Sequence, residues 1–325
     1  MVRGEGSGRA MRMGVAAAAS LFLLPGCALL PGYQPESPVR EYQRQALEER
    51  AAARQSTVEE SEPATPEGKI AEGDRLLRKG RTDRAVLAYL EAVRLAPDAT
   101  LPRERIGYVQ LDHDLERSEA IFRGLVEKDP EKVESLRGLG LAYLGQGKLE
   151  PALEMLERAV QLDAESAESH YALGATLGLL GREEEALAHT ERARELRPED
   201  ATIVNGLGVA HMVMGHWAEA ESAFREAIRL DSRIAAYHNN LGLALGRQRR
   251  YEEALAAFRK FGSEQAAQNN LGYVYYLNGR YEDAISHYER ALLEPGADKV
   301  LIIQNLNEAL DARDASAPTP AATSD

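Results

Sequence analysis

Cysteine is almost missing from this chain, with Cys27 alone among 325 residues. One thiol excludes an intrachain disulfide framework. Aromatic residues are scarce at 6%, and no long β-branched run occurs, which argues against a sheet protein. Positive charge is in deficit: 39 Lys and Arg stand against 52 Asp and Glu, for a net charge of −13. Such a chain repels nucleic acid, so none is expected as a partner. The common catalytic signatures are also missing, with no HExxH, no GxxxxGK[ST] and no GxSxG. The pairs Gly138-Leu139-Gly140 and Gly206-Leu207-Gly208 fall inside helical pattern rather than after a strand, which excludes a dinucleotide loop. The histidines are scattered, and His211 and His216, five apart across a helix end, make a poor metal pair. No catalytic residue, metal or cofactor is expected, and the chain does not read as an enzyme.

What is abundant favours helix: 44% of residues are hydrophobic and 28% charged, with Ala, Leu, Glu and Arg prominent. A pattern recurs from residue 73. Gly73, Gly107, Gly140, Gly174, Gly208, Gly242 and Gly272 are spaced 34, 33, 34, 34, 34 and 30 residues apart. Twelve residues later, or eleven in the second unit, stands Ala85, Ser118, Ala152, Ala186, Ala220, Ala254 or Ala284. Seven further on comes Ala92, Leu125, Ala159, Ala193, Ala227, Phe261 or Ala291. Between those two places sits Tyr89, Phe122, Leu156, Thr190, Phe224, Phe258 or Tyr288. Turn glycines follow at Gly80, Gly147, Gly181, Gly215 and Gly279, with Asp114 and Arg249 at that place in two units. Small residues on two helices let their axes nest while larger ones fill the gaps.

This pattern resembles the tetratricopeptide repeat (TPR). The resemblance implies an all-α fold, a TPR α-solenoid of about seven helical hairpins over 66–314. Its units are expected near 66–99, 100–132, 133–166, 167–200, 201–234, 235–264 and 265–296. The sixth is four residues short, so its second helix should end early. A capping helix is expected at 298–313, with apolar positions 300, 303, 306 and 310 covering the last hairpin.

The N-terminus reads differently. Arg3, Arg9 and Arg12 precede an apolar stretch, 13–24, too short to span a bilayer. It runs into Leu24-Pro25-Gly26-Cys27, which resembles the lipobox of bacterial lipoproteins. That resemblance implies a signal peptide over 1–26 and lipidation (palmitate and diacylglycerol) at Cys27. With Ala28 next, it implies lipid anchoring at the outer membrane of the cell envelope, facing the periplasm. The alternative is an ordinary signal peptide with an incidental cysteine. Residues 27–65, punctuated by proline, read as a flexible tether, and 315–325 as a disordered tail.

In TPR solenoids the first helix of each hairpin lines a concave groove. Carried onto this chain, the family's inward-facing places are Tyr171, Asn205, Val209, Met212, Asn239, Asn240, Leu243, Asn269, Asn270, Tyr273 and Tyr276. Two roles stand open for the asparagines: hydrogen-bonding an extended client backbone, or tying neighbouring repeats together. The apolar places bind a partner segment, are covered by the superhelix closing on itself, or are filled by residues 39–55 of this chain. Anchor, tether and array together resemble Tad/Flp pilus assembly TPR lipoproteins and type IV pilus pilotins. This implies a protein client, a secretin or another pilus or secretion component, and membrane contact only through the lipid anchor. An envelope scaffold for peptidoglycan hydrolases or synthases is the alternative.

Overall fold

A computed structural model describes residues 65–295 and 299–316; Cys27, the signal peptide, the tether and residues past 316 lie outside the described residues. Among the described residues there are fifteen helices and no strand. They fall into two compact units, 65–198 and 199–316. The first holds four hairpins: α1 (Pro66–Arg78) with α2 (Thr82–Leu95), α3 (Leu101–Gln110) with α4 (Leu115–Lys128), α5 (Val133–Gly145) with α6 (Leu149–Leu162), and α7 (Ala167–Leu179) with α8 (Glu183–Leu196). The second holds three more and a final helix: α9 (Ala201–Val213) with α10 (Trp217–Leu230), α11 (Ala235–Arg247) with α12 (Tyr251–Arg259), α13 (Glu264–Leu277) with α14 (Tyr281–Leu293), and α15 (Lys299–Ser316).

Local chemistry sets several helix starts. The Thr65 hydroxyl accepts from the Gly68 N–H at 3.1 Å, and Pro66 fills the first helical position, where its missing N–H costs nothing. Ser166, Asp200 and Ser263 cap α7, α9 and α13 through their side-chain oxygens.

Within each hairpin the two helices meet where the repeating glycine faces a second-helix side chain. A Cβ on Gly208 would lie 2.5 Å from the Phe224 ring, so any side chain there forces the helices apart. The facing side chains, from Tyr89 to Tyr288, are at most 1% exposed. The small residues four positions earlier, Ala85 to Ala284, are equally buried.

Three expectations are corrected. Asp114 does not take the turn-glycine conformation: its φ is −153°, and its carboxylate caps α4 by accepting from the Arg117 N–H at 2.9 Å. The missing loop residue removes the turn position and brings the cap into its place. Phe261 does not continue the buried series, because α12 ends at Arg259 and leaves it 49% exposed. On α15 the buried residues are Ile302 and Ala309, with Leu306 and Leu310 packed beside them. Val300 and Ile303 face outward at 81% and 47% exposure, so the covering stripe is rotated from the expected 300/303 face.

Arg249 does take over the glycine's role, at φ +65°. A non-glycine residue there is strained by about 1 kcal/mol. Arg249→Gly is therefore expected to stabilise the protein by about 0.5–1 kcal/mol, and Gly147→Ala, at φ +73°, to destabilise it. Urea midpoints followed by circular dichroism check both signs.

Candidate functional site

The expected groove residues all lie on first helices. Tyr171, on α7, belongs to the first unit and is half-buried. The other ten lie on α9, α11 and α13 of the second unit. Asn205, Tyr273 and Tyr276 are half-buried there. Val209, Met212, Asn239, Asn240, Leu243, Asn269 and Asn270 are each under a tenth exposed, so they are not solvent-facing as expected.

Part of the reason lies in the asparagines themselves. Asn240 Nδ2 donates to Asn205 Oδ1 at 2.9 Å, joining α11 to α9. Asn305 Nδ2 donates to Asn269 Oδ1 at 3.1 Å, joining α15 to α13. These amides tie neighbouring repeats, which is one of the two roles open for them. They do not use all of the capacity. Asn269 Nδ2 and Asn270 Oδ1 are buried and have no hydrogen-bond partner among the described residues. A donor and an acceptor left unmatched on adjacent residues cost about 1–3 kcal/mol each unless something supplies the missing bonds. Nearby, Tyr273 stacks on Tyr276 with ring centroids 6.3 Å apart. The Arg247 guanidinium lies 4.9 Å from the Trp217 ring centre.

Sequence reasoning missed a second set of polar residues. Glu119 and Glu221 are 7% and 6% exposed, at a place where five of the hairpins carry Val86, Leu153, Leu187, Leu255 or Ile285. Each acid is held by the next hairpin. Gln146 and Lys148 reach Glu119 at 2.8 and 2.9 Å, and Gln248 and Arg250 reach Glu221 at 2.7 Å. Burial alone would raise the Glu221 carboxyl, but hydrogen bonds from Arg250 and Gln248 and the Arg225 and Arg250 charges outweigh it and hold it low. The available signal was an acid standing in an otherwise aliphatic column.

His170 and His238 are buried and His189, His211 and His287 half-buried, whereas His113 and His216 are exposed. His170 Nε2 donates to the Ala164 carbonyl at 3.2 Å, which leaves its Nδ1 to accept from His189 Nδ1 at 2.9 Å. Only one proton fits between those two nitrogens. His211 and His216 lie with ring centroids 6.0 Å apart.

The tetratricopeptide repeat family profile matches residues 70–131 and 205–262, a related TPR repeat profile matches 140–181, and a third tetratricopeptide repeat profile matches 266–293. Together these stretches span more than half of the chain. The chain belongs to the tetratricopeptide repeat family. Solved structures agree on the fold. A tetratricopeptide repeat protein from Parabacteroides merdae matches with TM-score 0.53 at 17% identity, covering 75% of this chain and 98% of its own. A thermophilic TPR protein of Thermus thermophilus matches with TM-score 0.51 at 22% identity, over 55% of this chain and 98% of its own. PilF of Pseudomonas aeruginosa matches with TM-score 0.51 at 20% identity, over 66% of this chain and 98% of its own. No curated protein sequence matches. The TPR fold supports a protein–protein interaction scaffold.

Burial lowers the pKa of His170, His189, His238 and His287 below the ordinary 6.5. A lowered histidine favours the neutral ring in the folded state, so its stabilisation is full above the unfolded pKa and is lost progressively as pH falls from there through the lowered folded pKa. The urea midpoint is therefore expected to drop between about pH 7.5 and 5.5, the range that spans the ordinary histidine pKa. A smaller drop in a His170→Gln, His189→Gln double variant would assign part of the effect to this pair.

Proposed function

We propose that this TPR protein is a lipid-anchored envelope scaffold that holds a segment of a client protein along the first helices of its second unit. One observation carries the reading: the unmatched amide donor of Asn269 and the unmatched acceptor of Asn270. Both atoms are buried in the free protein, so a client must displace packed side chains to reach them; an extended peptide then offers a carbonyl and an N–H, and the half-buried Tyr273 and Tyr276 add rings for its side chains. The remaining role of the asparagines, binding a client backbone, thus falls to the atoms that the inter-repeat links leave unused.

The anchor rests on Cys27 and the apolar stretch before it. Acyl chains on that residue would hold the chain to a membrane at about 0.8 kcal/mol per buried methylene. Residues 28–64 would then separate the repeats from the lipid surface. Anchor, spacer and array together favour work in assembling an outer-membrane pilus or secretion machine, with a secretin or a neighbouring component as client.

Two measurements test this. Cys27→Ser should move the protein from the membrane pellet to the soluble fraction and abolish palmitate labelling; a variant that still pellets sinks the anchor. Asn270→Leu removes the unmatched acceptor without leaving a hole. It is expected to raise stability by about 1 kcal/mol and to lower capture of the client from detergent-solubilised envelopes at least tenfold. Undiminished capture removes the binding role of Asn270, and cell-wall enzymes in place of a secretin among the captured proteins would redirect the assembly reading.

A further inference from the structure

A second surface lies in the first unit, built by helices α2, α3 and α4. It is a cleft of about 560 Å³ with Leu90, Val93, Ile106 and Ile121 among its apolar lining. Leu90 is 44% exposed within it. One residue of its lining departs from the repeat. Two positions after the buried ring of each hairpin, the other six carry a long charged side chain: Glu91, Arg158, Arg192, Glu226, Lys260 or Arg290. In the second hairpin that place is Gly124, in the interior of α4, and a Cβ built there meets nothing within 4 Å. No packing demand explains a glycine at an exposed helical position that disfavours it. Its effect is to leave bare backbone along one wall of an apolar trough.

The rim has a definite charge. Arg103, Arg117 and Lys128 line the cleft against a single carboxylate, Asp98. Lys128 lies 3.5 Å from the Asp98 carboxylate. The Arg103 guanidinium donates to the Ala99 carbonyl at 3.1 Å rather than to an acid. Arg117 is exposed and has no ion-pair partner among the described residues. Two cations at an apolar opening are thus without a carboxylate, in a chain whose net charge is −13. Such a surface selects an acidic ligand with an apolar face.

We propose that this cleft is a second docking site, separate from the first-helix face, for an acidic amphipathic helix of a partner protein. One bulky apolar side chain enters beside Leu90 and Ile121, carboxylates on its flanks pair with Arg103 and Arg117, and the bare backbone at Gly124 lets the two helices approach closely.

The test is a selection of displayed helical peptides against the purified full-length chain. Enriched peptides should carry apolar residues at i and i+4 flanked by Asp or Glu. Gly124→Arg puts into the notch the side chain type that the third hairpin carries, at a site where it fits the helix. It should weaken those peptides at least tenfold while leaving the circular dichroism spectrum unchanged. Arg117→Glu should weaken them similarly, Gly124→Ala less than threefold, and Asn270→Leu not at all, which separates this site from the one proposed above. Failure to enrich any peptide, enrichment of neutral or basic ones, or binders indifferent to Gly124→Arg overturns the proposal. So does retention on phosphatidylglycerol vesicles that Arg117→Glu abolishes, because that outcome makes the cleft a lipid site.

Discussion

Every hairpin of this protein depends on one steric condition: a backbone without a side chain must face a ring or branched group on the partner helix. At Gly73 and Gly272 the group is a tyrosine, at Gly107, Gly208 and Gly242 a phenylalanine, and at Gly140 a leucine. The seventh case shows how the condition adjusts. Gly174 faces only Thr190, and there the backbones themselves come close, with the Ala186 carbonyl 3.0 Å from where a Cβ would stand. The interface closes until something fills it, as dense packing requires. Turns and caps then need only join helices whose mutual position is already set.

Between hairpins, polar links add to apolar packing such as that of Phe122 with Leu136 and Leu139. Asn205 to Asn240, Asn269 to Asn305, Glu119 to Gln146 and Glu221 to Gln248 are polar links between consecutive repeats, drawn from buried or half-buried groups. Buried acids contribute little net stability even when well paired. What they do contribute is a penalty for any other register, since sliding one hairpin past the next would leave a carboxylate without its cation. Apolar packing holds each hairpin together and joins it to the next, and at these junctions polar matching fixes the register.

The hairpins were legible in the sequence because the glycine-to-ring condition recurs at nearly constant spacing and involves residues close in the chain. The second helix of the sixth hairpin ends early, as the four-residue deletion implies. What escaped depends on local detail or on neighbours outside the hairpin. Asp114 reads as a poor glycine until its capping bond is seen. The stripe on α15 is rotated because Ile302, not Ile303, meets the Ile285 and Tyr288 layer. The groove positions were assigned from the family's geometry, which says which helix face a residue occupies but not how much of it is already committed to the adjoining repeat. Gly124 escaped for the opposite reason: its meaning lies in a side chain that is missing.

The end of the second unit follows from the same rules. Helix α15 repeats the asparagine link of a first helix, through Asn305 to Asn269, yet has no second helix of its own among the described residues. It is half a repeat, seated by Ile302 and Ala309 with Leu306 and Leu310 beside them. The two helices of a hairpin cannot part without breaking their glycine-to-ring contact, whereas α15 has no such contact and could lift as a single rod with every hairpin left intact. Its departure would uncover the Tyr288 layer and the Asn269 side-chain carbonyl together, in a single step.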